Sequence, residues 1–179
     1  LGAEVYGVDL SETISDAQFA EILDAFLKYQ VLFFKNQKEI PPEQHVIFGK
    51  RFGPLHAHPA APTMEGHPEI FEIHATKDSK VANGEFWHSD VSCDDTPPLG
   101  TMLQIHIAPP YGGDTMFSNM EVAYDDLSDP MKKMLGGLTA LHSSEHIYKG
   151  RYSDRGKRDV DIDCPEAVHP IVRTHPDTG

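Results

Sequence analysis

Apolar residues recur at helical spacing early in the chain. Phe19, Ile22, Leu23, Phe26 and Leu27 form one stripe. Ser15-Asp16-Ala17-Gln18 stands ahead of it as a capping box, a hydroxyl acceptor with a glutamine three residues on. The spacing predicts a helix over 16–29. Val31-Leu32-Phe33-Phe34 follows at once, is too short and too rich in β-formers for more helix, and reads as a buried strand. Residues 1–10 alternate loosely and carry glycines, so they read as a short edge strand. Pro41-Pro42-Glu43-Gln44 opens a second helix, with proline tolerated in its first turn. Val46, Ile47 and Phe52 are its apolar side, and Gly53-Pro54 ends it.

Further along, the signals shorten. Residues 54–69 are rich in Pro, His, Ala and Gly and read as loop, and 70–74 as a strand. The segment 76–85 is polar and reads as mobile. Residues 101–108 (TMLQIHIA) alternate well enough for a central strand, bounded by Pro109-Pro110 and Gly112-Gly113, with extended structure resuming over 114–117. Ser128-Asp129-Pro130 caps a third helix lined by Met131, Met134 and Leu135 and closed by Gly136-Gly137. The stretch 145–166 is charged and apolar-poor, a surface excursion, and 168–174 returns to a short strand. Strands with a few helices outside them, without regular βαβ units, favour a sandwich or barrel over a doubly wound sheet.

A chain of 179 residues has room for one cored domain, or is part of a larger one. Its formal net charge of −13 argues against a nucleic-acid partner and against an anionic membrane surface. No apolar run approaches the length of a membrane span. Cys93 and Cys164 are its two cysteines, which as free thiols fit a reducing, cytoplasmic setting. The start at Leu1 and the end at Thr178-Gly179 both read as trimmed. The count that changes the picture is 11 histidines.

The densest chemistry lies in Phe86-Trp87-His88-Ser89-Asp90. On an extended segment, His88 and Asp90 point to the same side, because side chains repeat every second residue. An imidazole nitrogen and a carboxylate oxygen then reach one metal ion. With a second histidine they make the two-histidine, one-carboxylate face of a non-heme iron(II) site, which leaves positions open for a chelating cosubstrate and oxygen. The competing reading is a plain hydrogen-bonded pair, and H-x-D alone favours that one. Asp94-Asp95 and Asp125-Asp126 lack the spacing of a calcium loop and read as solvated surface. Trp87 reads either as a residue stacked over the site or as a core aromatic.

The runs WHSDVSCDDTPPLGTMLQ, APPYGGDTMFSNMEVAYDDLSD and HPIVRTHPDTG resemble the taurine dioxygenase (TauD/TfdA) family, in order and at compatible spacings. GAEVYGVDL, QVLFFKNQ and KRFGPLHAHP resemble it as well. The resemblance implies a mainly β fold with flanking helices, a double-stranded β-helix (jelly-roll). It makes 1–179 one oxygenase domain, incomplete at the C-terminus. It implies an Fe(II)- and 2-oxoglutarate-dependent dioxygenase. Such an enzyme uses O2 to hydroxylate a small, anionic substrate such as a sulfonate or sulfate ester, giving succinate and CO2. By the same resemblance, His88 and Asp90 are iron ligands, Thr115 of the GGDT segment contacts 2-oxoglutarate, and His58 of the HAHP loop contacts substrate. Gly112 and Gly113 serve backbone geometry.

The resemblance also shows departures. An aromatic substrate contact of the taurine enzyme falls on Ala61, and an asparagine four residues before the iron histidine falls on Gly84. Both changes suit a larger or more apolar substrate than taurine. The family's third iron ligand, a histidine, and an arginine for the cosubstrate carboxylate are expected beyond Gly179. His142, His169 and His175 are not taken as substitutes, and His106 reads as a surface or packing histidine. Two other classes remain open: a cupin-like metal-dependent isomerase or hydrolase that turns over without 2-oxoglutarate, and a non-catalytic β-sandwich binding module. A homo-oligomer is also left open.

Overall fold

The computed structural model describes residues 1–61, 63–79, 84, 86–151 and 161–179. Its elements run β1 (Ala3–Val5), α1 (Asp16–Tyr29), β2 (Leu32–Phe34), α2 (Pro42–Lys50), β3 (Thr63–Met64), β4 (His67–Phe71), α3 (Met120–Asp125), α4 (Asp129–Leu135), β5 (Thr139–Ser143), α5 (Glu145–Tyr148) and β6 (Glu166–Pro170). The chain divides into two compact units: Leu1–Phe48 with Leu103–Leu138 and Pro170–Gly179, and Gly49–Met102 with Thr139–His169.

In the first unit, α1 matches the predicted helix. Ser15 Oγ accepts from the Gln18 backbone N–H, while Gln18 Oε1 accepts from the Ser15 N–H. The helix closes at Gln30, whose left-handed backbone (φ 67°) turns its N–H onto the Phe26 carbonyl at 2.7 Å. β1 pairs with β2 in parallel, Ala3 opposite Leu32 and Val5 opposite Phe34. Parallel neighbours need a crossover, and α1 supplies it, so this end does hold one βαβ unit. Gln37 then ties the chain down: its Oε1 accepts from Leu10 N–H and its Nε2 donates to the Val8 carbonyl. Leu10, Ile14, Ile22, Ile40 and Phe48 are buried. The Phe48 ring meets Phe19 and Phe34 edge to face, with centroids 6.3 and 6.2 Å away.

In the second unit, β3 and β4 form an antiparallel hairpin around Glu65-Gly66, with Gly66 at φ 81°. The strand expected over 70–74 thus lies a few residues earlier. A small core gathers Ala60, Ala61, Cys93, Tyr148 and Ile162, with Phe71, Val91 and Cys164 against it. Cys93 and Cys164 are free thiols, as expected. α5 falls within the charged 145–166 stretch. The readings of 152–160, and of 80–83 and 85, lie outside the described residues.

The mainly β jelly-roll expectation is overturned. The described residues hold a mixed α/β arrangement of five helices and three separate two-stranded sheets, β1-β2, β3-β4 and β5-β6, with no closed or barrel-like sheet. A strand pattern becomes a strand only when a neighbour takes its backbone bonds. Residues 101–108 alternate well but form no ladder, and Leu103, Ile105 and Ile107 are exposed. Residues 114–117 likewise form no strand. Among the described residues, no helix is long and apolar enough to cross a membrane.

Candidate active site

His88 and Asp90 lie in the second unit, on a loop and not on a strand. The loop turns at Asp90, and Val91 takes φ 52°. A β-branched residue in the left-handed region carries about 1–3 kcal/mol of backbone strain, a cost met mostly at functional sites. Val91 and Cys93 pack on the small core, which holds that turn in place. The two side chains do converge, through a turn instead of strand alternation: His88 Nε2 stands 3.2 Å from Asp90 Oδ1.

Both side chains are anchored from behind. The Phe86 carbonyl can only accept, so His88 Nδ1, 2.6 Å away, carries a proton and donates to it. In the neutral ring this leaves the Nε2 lone pair directed at the carboxylate. The other carboxylate oxygen, Asp90 Oδ2, accepts from the Thr101 hydroxyl at 2.6 Å. A lone pair and a carboxylate oxygen this close require a proton or a cation between them. Two cis ligands at about 2.1 Å from one octahedral ion stand about 3.0 Å apart. The pair therefore fits one edge of a divalent-metal site. Among the described residues no three His, Cys, Asp or Glu side chains converge as a metal group.

His58 belongs to the same unit. Its Nδ1 accepts the backbone N–H groups of Ala60 (3.1 Å) and Ala61 (2.9 Å), which fixes the proton on Nε2. The ring packs against Phe71 and Tyr148, with centroids 5.3 and 4.8 Å away. Burial lowers its pKa from 6.5, and neighbouring His56 adds to this, so the ring is a neutral N–H donor at neutral pH. Ala61 is buried in the core. Thr115 lies in the first unit on an exposed segment, just after Gly112 and Gly113 at φ 74° and 75°. The positive φ values bear out the backbone role of those glycines.

Several residues stand differently from their sequence reading. Trp87 is 68% exposed, so it is not a core aromatic. Asp94 is not mere surface: its carboxylate meets His56 Nε2 at 2.9 Å, and its carbonyl accepts from His169 Nε2 at 2.9 Å. His142 Nδ1 is 3.0 Å from Ser92 Oγ, and its ring lies 5.4 Å from that of His169. These histidines brace 92–94. Thr101 was missed. Its only sequence signal was a hydroxyl shortly after Pro97-Pro98, and nothing local tied it to Asp90.

The model of the taurine catabolism dioxygenase TauD, TfdA family matches residues 1–179. An alkylsulfatase from Acinetobacter baylyi is 35% identical over all of this chain and 58% of its own length. An alpha-ketoglutarate-dependent sulfate ester dioxygenase from Pseudomonas putida is 31% identical over all of this chain and 61% of its own. The crystal structure of a taurine dioxygenase from Burkholderia xenovorans superimposes with a TM-score of 0.71 at 32% identity, covering 100% of this chain and 57% of that one. The chain thus spans about three fifths of the length of these relatives.

Proposed function

The chain belongs to the taurine catabolism dioxygenase TauD, TfdA family, and on that premise we propose that residues 1–179 form an oxygenase domain of an Fe(II)- and 2-oxoglutarate-dependent dioxygenase. Its substrate is a small organic anion, a sulfate ester or sulfonate. The observation that carries this reading is the His88 Nε2–Asp90 Oδ1 pair, spaced as one edge of a metal site. When bound, Fe(II) and 2-oxoglutarate supply the oxidation, in which O2 and 2-oxoglutarate become succinate and CO2 while a substrate carbon is hydroxylated.

The chain's own residues bind and orient. His88 presents Nε2 because Phe86 holds Nδ1, and Asp90 presents Oδ1 beside it. Thr115 supplies a hydroxyl donor for a 2-oxoglutarate carboxylate. His58, protonated on Nε2, supplies a neutral N–H donor to the substrate's anionic group, which suits sulfate or sulfonate oxygens. The relatives named for sulfate esters support that substrate class. Gly84, small where the taurine enzyme carries a contact, favours a bulkier organic group than taurine, whereas Ala61 is buried in the small core and leaves no such room. The same reading needs a further histidine ligand and a cosubstrate arginine besides these residues.

The test is succinate release by the full chain over a panel of sulfate esters, sulfonates and aryloxy acids. Succinate should require Fe(II), 2-oxoglutarate and O2 together. His88→Ala and Asp90→Ala should each lower it by more than about a hundredfold, beyond what loss of a ligand's outer partner costs. Turnover without 2-oxoglutarate, or wild-type succinate release with both residues changed, would sink the proposal.

A further inference from the structure

We infer that Thr101 is a positioning residue for the metal-binding edge, setting which carboxylate oxygen of Asp90 faces the ion. This rests on the reading of His88 and Asp90 as ligands. A carboxylate turns broadly about its terminal torsion, so its two oxygens exchange unless one is held. Thr101 Oγ1 donates to Asp90 Oδ2 at 2.6 Å, in the short range of hydroxyl bonds to an ionised carboxylate. That leaves Oδ1 as the oxygen 3.2 Å from His88 Nε2. His88 is held in the same manner by Phe86, so each donor of the edge has one outer partner fixing its orientation.

Thr101 is built to hold that position. It lies eleven residues beyond Asp90, on the far side of Pro97-Pro98, where proline fixes φ. Its β-branched side chain is stiff at χ1, so little freedom is lost in making the bond. A hydroxyl donor also adds no charge, so it leaves the carboxylate's charge available to a cation.

The experiment is Mn(II) titration of the full chain by calorimetry, on wild type, Thr101→Val, Thr101→Ser, His88→Ala and Asp90→Ala, with thermal melting of each. Thr101→Val keeps the shape and removes the donor. It should weaken Mn(II) binding by about tenfold, the low end for loss of an outer partner. Thr101→Ser should restore binding to near wild type, and both should melt as wild type does, because Thr101 is exposed. In the assay, Thr101→Val should need more Fe(II) for half-maximal rate, and Thr101→Ser should not. Wild-type Mn(II) binding by Thr101→Val, with binding lost in the two alanine variants, overturns the role of Thr101 and leaves the metal edge standing. Serine failing as badly as valine also overturns it. Wild-type binding by both alanine variants overturns the metal edge and this inference together.

Discussion

Residues 1–48 and residues 86–117 are both rich in apolar side chains, yet they end in opposite states. The first stretch folds into β1, α1, β2 and most of α2, with Ile22 and Phe48 buried. The second contains no helix or strand, and Ile107 is 87% exposed. It nonetheless carries His88, Asp90, Thr101 and Thr115. The difference lies in what each pattern needs. An amphipathic helix with its own cap satisfies its backbone locally. A strand pattern satisfies its backbone only through a neighbour. Where no neighbour pairs with it among the described residues, order comes from single side-chain bonds, such as Thr101 to Asp90.

The largest expected effect tests the packed half. Phe48→Ala removes a buried ring that meets α1 through Phe19 and β2 through Phe34. It should cost about 3–5 kcal/mol, measured by urea denaturation. The His88→Ala and Asp90→Ala variants should do the converse, abolishing turnover with little change in stability, since both side chains are exposed. A Phe48→Ala cost below about 1 kcal/mol would remove the contrast between a packed half and a tied loop.

What could be read from the sequence follows the same division. α1 was legible to the residue because its stripe and its capping box lie within one window. α4 was legible from Ser128 and Pro130. α3 was missed because its six residues bury none of their side chains, and its one signal is Asn119, whose side chain accepts from Glu121 and Val122 N–H. β5 is hard to read because Gly136-Gly137, just ahead of it, carries the signal of an ending and its own five residues carry little. The jelly-roll failed because alternation over 101–108 says which face is apolar but not what pairs with it. At the site, the identities of His88 and Asp90 were legible, and their turn geometry was not. Asp94 meets His56 across 38 positions of sequence, a distance at which no local pattern reports.

A smaller effect sharpens the local side of the contrast. Ser15→Ala deletes the acceptor for Gln18 N–H and half of the reciprocal cap. It should cost about 1 kcal/mol by urea denaturation. Ser15→Asp should recover most of that, because aspartate also accepts and favours a helix N-terminus. If alanine costs nothing, α1 is held by its buried stripe alone.

The smallest effect belongs to the loop side and is read through pH. His58 Nδ1 cannot take a proton while it accepts from Ala60 and Ala61, and burial, followed by His56, holds its pKa below 6.5, against the opposing pull of Asp94 and Asp90. The unfolded chain protonates this histidine near 6.5 and the folded chain only at lower pH. In that window the unfolded state binds more protons, so stability rises with pH. The contribution is fully present above 6.5 and is lost as pH falls through the lower, folded value. His58→Asn keeps an acceptor oxygen for the two N–H groups and cannot titrate. The urea midpoint should therefore drop less between about pH 7.5 and pH 5 in His58→Asn than in wild type. Equal drops would mean that the two backbone bonds do not hold His58 neutral, and the loop would then owe its order to Tyr148 and Phe71 packing on the ring.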